Sequence, residues 1–141
     1  NTFYSPERVI SIIEEMESEI TPDAQEHLAR WNILNGSLEE WEKNLGSIYT
    51  FAVERPPYVR QHIVDRFDLE GTAVITLKSD NEKGYVHINS IDILPTTPGI
   101  LGSDEWSGVY FKGIPLSISA IPNAGYKFVG WEGIENSNSS M

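Results

Sequence analysis

SLEEWEKNLGSIYTFAVERPPYVRQHIVDRF, residues 37–67, joins a helical front half to a strand-rich back half. Leu38, Trp41, Leu45, Ile48 and Ala52 recur at steps of three and four, which draws one apolar stripe along an α-helix. Ser37 and Glu40 stand at the spacing of a capping box, in which each side chain satisfies a free backbone N–H at the helix start. Pro56 and Pro57 lack amide donors and push the preceding residue out of the α region. The helix is therefore predicted to close at Arg55, and another to open at Pro57. Val59, Ile63 and Phe67 repeat at four-residue steps and give that next helix an apolar edge.

Upstream, Ser5 and Pro6 follow a short lead-in and have the order of an N-cap and first helical residue. Val9, Ile12, Ile13, Met16 and Ile20 form a helical stripe, with Glu7, Glu14, Glu15, Glu17 and Glu19 taking the solvated side. Thr21-Pro22 repeats the cap-then-proline order and predicts a second helix with Ala24, Leu28 and Trp31 on its buried edge. Asn35-Gly36 would end it, since both residues tolerate the left-handed conformation. Trp31 and Trp41 are expected in the core between the second and third helices.

From Gly71 onward the hydrophobic period falls from about 3.6 to 2, which marks a boundary near residues 69–71. Ala73, Ile75 and Leu77 alternate with more polar neighbours as a strand. Residues 80–84 form a polar turn, and residues 85–89 return with Val86 and Ile88 on one face, so a hairpin is predicted. Ile91 and Ile93 extend that edge or start another strand before Pro95. Residues 96–108, TTPGILGSDEWSG, form a loop long enough to carry function. Further strands are expected at 109–111 and 115–121, the second burying Leu116, Ile118 and Ala120. Residues 125–133, GYKFVGWEG, close the module; Phe128 and Trp131 would both turn inward only if a bulge or strand end fell near Gly130.

The chain has 141 residues and a net charge of −11, of which residues 1–70 carry −8 and residues 71–141 carry −3. Such a surface repels phosphate backbones and anionic lipid, which excludes nucleic acid and charged membrane as partners. No run approaches the roughly 20 apolar residues that membrane insertion requires. The absence of cysteine removes disulfides, thiolate metal sites and cysteine nucleophiles. The start, one step before a helix, and the polar ending ENSNSSM fit a piece of a longer polypeptide.

Two stretches resemble known families. AQEHLARWN at 24–32, SLEEWEKNL at 37–45 and FAVERPPYVRQHIVDRFDLEG at 51–71 together resemble the end of the spore coat protein H (CotH kinase) family. That resemblance implies that residues 1–70 are terminal helices of an atypical kinase C-lobe whose ATP- and metal-binding aspartates lie upstream. No nucleotide-pocket lysine, H-R-D-like loop or D-F-G-like motif is present, and Asp23, Asp65 and Asp68 lack the required context. This piece is therefore expected to be non-catalytic and to need no cofactor, even where its parent phosphorylates coat proteins. GIPLSISAIPNAGYKFVGWEG at 113–133 is similar to the divergent internalin-B-type repeat, which implies a small extracellular β module used in spacing or adhesion. The stretch from Ser90 to Gly108 is longer than a compact repeat would use.

His27 and His62 lie on predicted helices beside ordinary ion-pair partners, and His87 stands alone on the polar face of a strand. No pair has zinc-site spacing. Glu14-Glu15 and Glu39-Glu40 are adjacent on helices and point about a third of a turn apart, so they cannot converge on one bond as a glycosidase pair does. Asp80 to Gly84 lacks the alternating ligands and distal Glu of a calcium loop. Asp104-Glu105-Trp106 has two readings: a grip on a sugar or peptide, or a loop tethered by a buried indole. Tyr85, His87 and Asn89 form a polar-aromatic row that also has two readings: a carbohydrate contact, or a plain hydrated sheet face.

The fold expected is α+β: a bundle of about four helices at 1–70, then a small antiparallel β sandwich or rolled sheet at 71–141. The function expected is structural, with helices supporting a kinase-like lobe and the β module spacing or attaching it at a spore coat or cell surface. Its partners would be the rest of the parent chain and a coat or surface protein or glycan. Tyr85, His87 and Trp106 are the candidate ligand-binding residues; no catalytic or metal-binding residue is assigned.

Overall fold

A computed structural model describes residues 1–32 and 37–133 of the chain. Helix α1 spans Pro6–Trp31 and α2 spans Leu38–Phe67; strands β1 Thr72–Lys78, β2 Gly84–Ile88, β3 Ile91–Asp92, β4 Glu105–Phe111 and β5 Ile118–Pro122 follow. The α+β order and the switch at Gly71 are as the periodicity predicts. Among the described residues, however, there are two helices where about four were expected.

The difference lies at the prolines. Pro22 sits inside α1, and Pro56 and Pro57 sit inside α2. Thr21 does not cap a new helix: its hydroxyl donates to the Glu17 carbonyl at 2.7 Å, within the continuing helix. An interior proline costs about 3 kcal/mol through its missing N–H and its clash with the preceding turn. A break at Pro22 would also swing Ala24 and Leu28, both buried, away from α2, where Ala52 is buried too. Burying one Leu contributes about 1.5–3 kcal/mol, so a seam running past the proline offsets the local cost. The Tyr49 hydroxyl fixes the alignment of the two helices by donating to Glu17 Oε2 at 2.6 Å. That carboxylate pushes the phenol pKa up to about 12.

The starts at Ser5 and Ser37 agree with the sequence reading, but only half of the capping box forms, since the Glu40 carboxylate pairs with Lys43 at 3.6 Å. Ser5 Oγ accepts from the Arg8 N–H, and Ser37 Oγ from the Glu40 N–H at 3.2 Å. α1 closes at Asn32, in the left-handed region at φ 47°, and α2 at Asp68, at φ 51°. Asn35-Gly36 lies outside the described residues. Trp31 is 62% exposed, with the Arg30 guanidinium 5.6 Å above its ring, so it does not join the core expected of it. It is the last residue of α1 before the Asn32 cap, beyond the buried pair Ala24 and Leu28. Trp41 is half-buried.

The strands form two small antiparallel sheets, β1–β4 and β3–β2–β5. The hairpin expected between β1 and β2 does not form: β1 pairs with β4, Thr72 opposite Phe111 and Lys78 opposite Glu105. At residues 80–84 the Lys83 and Gly84 amides both bond to the Asp80 carbonyl, while Ser79 N–H bonds to Asp104. The chain thus turns a corner from one layer into the other. Two layers allow Val86, Ile88, Ile93, Ile100 and Trp106 to bury one another, with Leu77, Tyr110 and Ile118 packed around them. Beyond β5, residues 125–133 form no strand; Trp131 packs on this core and Phe128 stays exposed against its ring, centroids 5.0 Å apart. Leu116, Ile118 and Ala120 are half-buried.

The N-terminal lead-in docks on β4. The Asn1 carboxamide donates to the Val109 carbonyl at 2.9 Å and accepts from the Val109 N–H at 3.1 Å. Thr2 is buried, and its carbonyl lies where a Cβ on Gly99 would sit; Gly99 also has φ +82°, so only glycine fits.

Candidate functional site

β2 alternates, with Val86 and Ile88 facing the core and Tyr85 and His87 facing outward. Opposite them on β5 stand Ile121 and Ser119, and opposite His87 on β3 stands Asp92. A two-residue turn links β2 to β3, and Asn89 enters it in the left-handed region at φ 52°, a conformation that Asn tolerates better than most residues. Asn89 also ties the turn to the start of β5. Its N–H donates to the Ser117 carbonyl at 2.8 Å, and its side-chain oxygen accepts from the Ser117 N–H at 3.0 Å.

Both nitrogens of the His87 ring are engaged. Nδ1 lies 2.7 Å from Asp92 Oδ1, and Nε2 lies 2.6 Å from the Asn89 carbonyl oxygen. A carboxylate and a carbonyl only accept, so the arrangement is satisfied when both ring nitrogens carry protons. The Asp92 carboxylate first, and the Asn89 carbonyl second, hold the His87 pKa above its ordinary value. This ring is occupied by structural bonds; acting as a base or metal ligand would require breaking one of them.

A pH dependence follows. His87 is raised above its unfolded value of 6.5, so its stabilising contribution is complete below that pH and is lost as pH rises through the higher folded value. Asp92 on β3 is the titratable group facing it; Ser119, across on β5, does not titrate. An NMR titration of the His87 ring is expected to give a midpoint above 6.5, and Asp92→Ala should move it down. A midpoint at or below 6.5 would show that the two-acceptor arrangement does not hold in solution.

Trp106 is not part of this outward row. It lies on β4 rather than in a loop and is 5% exposed, facing the core behind β2 with its ring edge toward Tyr110 at 6.4 Å between centroids. Its indole lies over Gly108, where any Cβ would collide with the ring. The structure therefore brings Tyr85 and His87 together and places Trp106 on the other side of the strand. The neighbouring carboxylates serve local bonds: Asp104 Oδ1 accepts from Asn81 Nδ2 at 3.0 Å, and Glu105 pairs with Lys78 at 2.9 Å. Asp80 pairs with Lys83 at 2.7 Å, and that ammonium lowers the Asp80 pKa.

Sequence reasoning missed Asp92, which holds His87, and Asn123, whose side chain donates to the carbonyls of Asn81 and Glu82 at 3.0 Å each. The Pro122-Asn123 pair is itself a turn signal. Asp92 had none, since its role depends on which strand lies beside β2. Among the described residues no three His, Asp or Glu side chains gather as a metal cluster would. No described helix is long and apolar enough to cross a membrane.

Residues 93–141 match the divergent InlB B-repeat domain family. The match takes in β4 and β5, including Trp106, and agrees with the repeat resemblance of residues 113–133. No curated protein and no solved structure matches the chain.

Proposed function

We propose that this chain is a non-catalytic structural part of a bacterial surface or spore-coat protein. In this reading its helical hairpin seats against a larger CotH-like lobe, and its β module spaces or attaches that lobe. The observation that carries the reading is the uneven burial. The β module has its own core, whereas the buried residues of the hairpin are Ala24, Leu28 and Ala52. Ile12, Met16 and Ile20 on α1 and Ile48, Phe51 and Tyr58 on α2 stay exposed. At about 100° per residue these two rows fall on the same side of the seam between antiparallel helices, and an apolar face of that size marks a contact surface. The repeat-family match supports the spacing role of the second part.

Two experiments test the reading. Calorimetry of the chain with Mg-ATP is expected to show no binding heat; saturable heat would end the non-catalytic assignment. Antibody labelling of the encoding organism should reach the chain on intact cells or spores, and labelling only after lysis would remove it from the surface. A second reading, recognition of a glycan or coat protein, is favoured by the outward placement of Tyr85 and His87 beside Ser119. Glycan arrays with the chain and a Tyr85→Ala variant separate it from the spacer role. If the parent is an atypical kinase, its reacting groups belong to other segments.

A further inference from the structure

The ladder between β1 and β4 has a definite phase. Lys112 N–H bonds to the Gly71 carbonyl at 2.9 Å and Ser79 N–H to the Asp104 carbonyl at 3.0 Å, at the two ends of the same register. Hydrogen-bonded pairs alternate along an antiparallel ladder, so Ala73, Ile75 and Leu77 bond to β4. The N–H and C=O groups of Thr72, Val74, Thr76 and Lys78 therefore point away from it. The same phase turns the Val109 main chain to the far edge of β4, where the Asn1 carboxamide takes both of its groups.

Among the described residues β4 is the strand neighbour of β1, so the outer edge of β1 is open along its seven residues. The other sheet is blunted: β3 has two residues, and β5 ends in Pro122. A long edge without proline, bulge or cover is a template for another strand. Lys78 is the one charged residue in β1, and Val74 is 66% exposed.

We propose that β1 is a self-association edge, on which β1 of a second copy adds antiparallel across a two-fold axis at Ile75. This register uses the whole strand. Thr72 lies opposite Lys78 of the copy and Val74 opposite Thr76, each pair exchanging both main-chain bonds. On the other face Ala73 meets Leu77 and Ile75 meets its own copy, so no like charges oppose one another. Lys78, the one charge brought to the new seam, already pairs with Glu105 of its own chain at 2.9 Å. The product is one continuous sheet, β4–β1–β1–β4, with an isologous interface.

Light scattering coupled to size exclusion should give twice the chain mass at high micromolar concentration. Val74→Pro removes an outward N–H and none from the β1–β4 ladder, so it should halve the mass while leaving far-ultraviolet circular dichroism unchanged. Because the chain has no cysteine, Ile75→Cys supplies a single thiol on the axis. Facing residues of a non-hydrogen-bonded pair have Cα atoms about 4.5 Å apart, inside the disulfide range, so mild oxidation should convert most of this variant to a covalent dimer. A monomeric wild-type chain would overturn the proposal. So would a dimer that persists in Val74→Pro, or one that the Ile75→Cys variant fails to lock on oxidation, since either would place the contact elsewhere, as on the apolar helix face.

Discussion

Trp106→Ala is expected to lower the stability of the β module by about 3–5 kcal/mol, the cost of deleting a fully packed aromatic side chain. The indole fills the space between the two sheets, against Val86, Ile88, Ile93 and Ile100, and lies over a glycine that leaves it room. Nothing nearby can replace that volume. The surrounding side chains come from three separate segments, β2, the end of β3 and the turn at Ile100, tied down by main-chain bonds, so collapse into the cavity is limited. Small domains hold only about 5–15 kcal/mol in total, and a loss of this size leaves a large share of the module unfolded. Urea titration followed by near-ultraviolet circular dichroism measures it directly. A loss below about 1 kcal/mol would mean that Trp106 is a surface group, and would restore its candidacy as a sugar-gripping residue.

The second large effect has the opposite sign. Pro22→Ala should stabilise the helical hairpin by about 2 kcal/mol, from two opposing terms. Proline is about 3 kcal/mol less favourable than alanine inside a helix, while alanine returns about 0.4–1 kcal/mol of chain entropy to the unfolded state. The new amide can donate to the Ser18 carbonyl, four residues earlier in α1. Denaturation followed by helical circular dichroism should show a higher midpoint. A lower one would indicate that Thr21-Pro22 starts a separate helix, because proline is at home in that first position. Thr21→Ala is the companion measurement: it should stabilise by a few tenths of a kcal/mol if the hydroxyl only bonds back to Glu17, because alanine is the better helix former, and cost about 1 kcal/mol if Thr21 is an N-cap.

The helix starts at Ser5 and Ser37 were legible because a cap is a local event involving a side chain and an amide three residues on. The alternation of residues 72–78 was legible for a similar reason: it reports which side chains face inward. The candidate site was half legible. Tyr85 and His87 lie outward on one strand as the alternation implies, but Asp92, the partner that raises the His87 pKa, could not be identified before the β2–β3 pairing was known. Trp106 admitted two readings in sequence, and its 5% exposure is a property of the packed sheets, not of its neighbours along the chain.

The sequence by itself determined that helices come first and antiparallel strands after Gly71, because hydrophobic period is written residue by residue. Only the tertiary structure decided that Pro22, Pro56 and Pro57 lie within two long helices, and that β1 pairs with β4 instead of β2. A proline penalty is local, but whether it breaks a helix depends on what the far side of that helix buries against a partner. Strand alternation selects a face, whereas strand neighbours are chosen by main-chain bonds between residues distant in sequence, which no local pattern encodes.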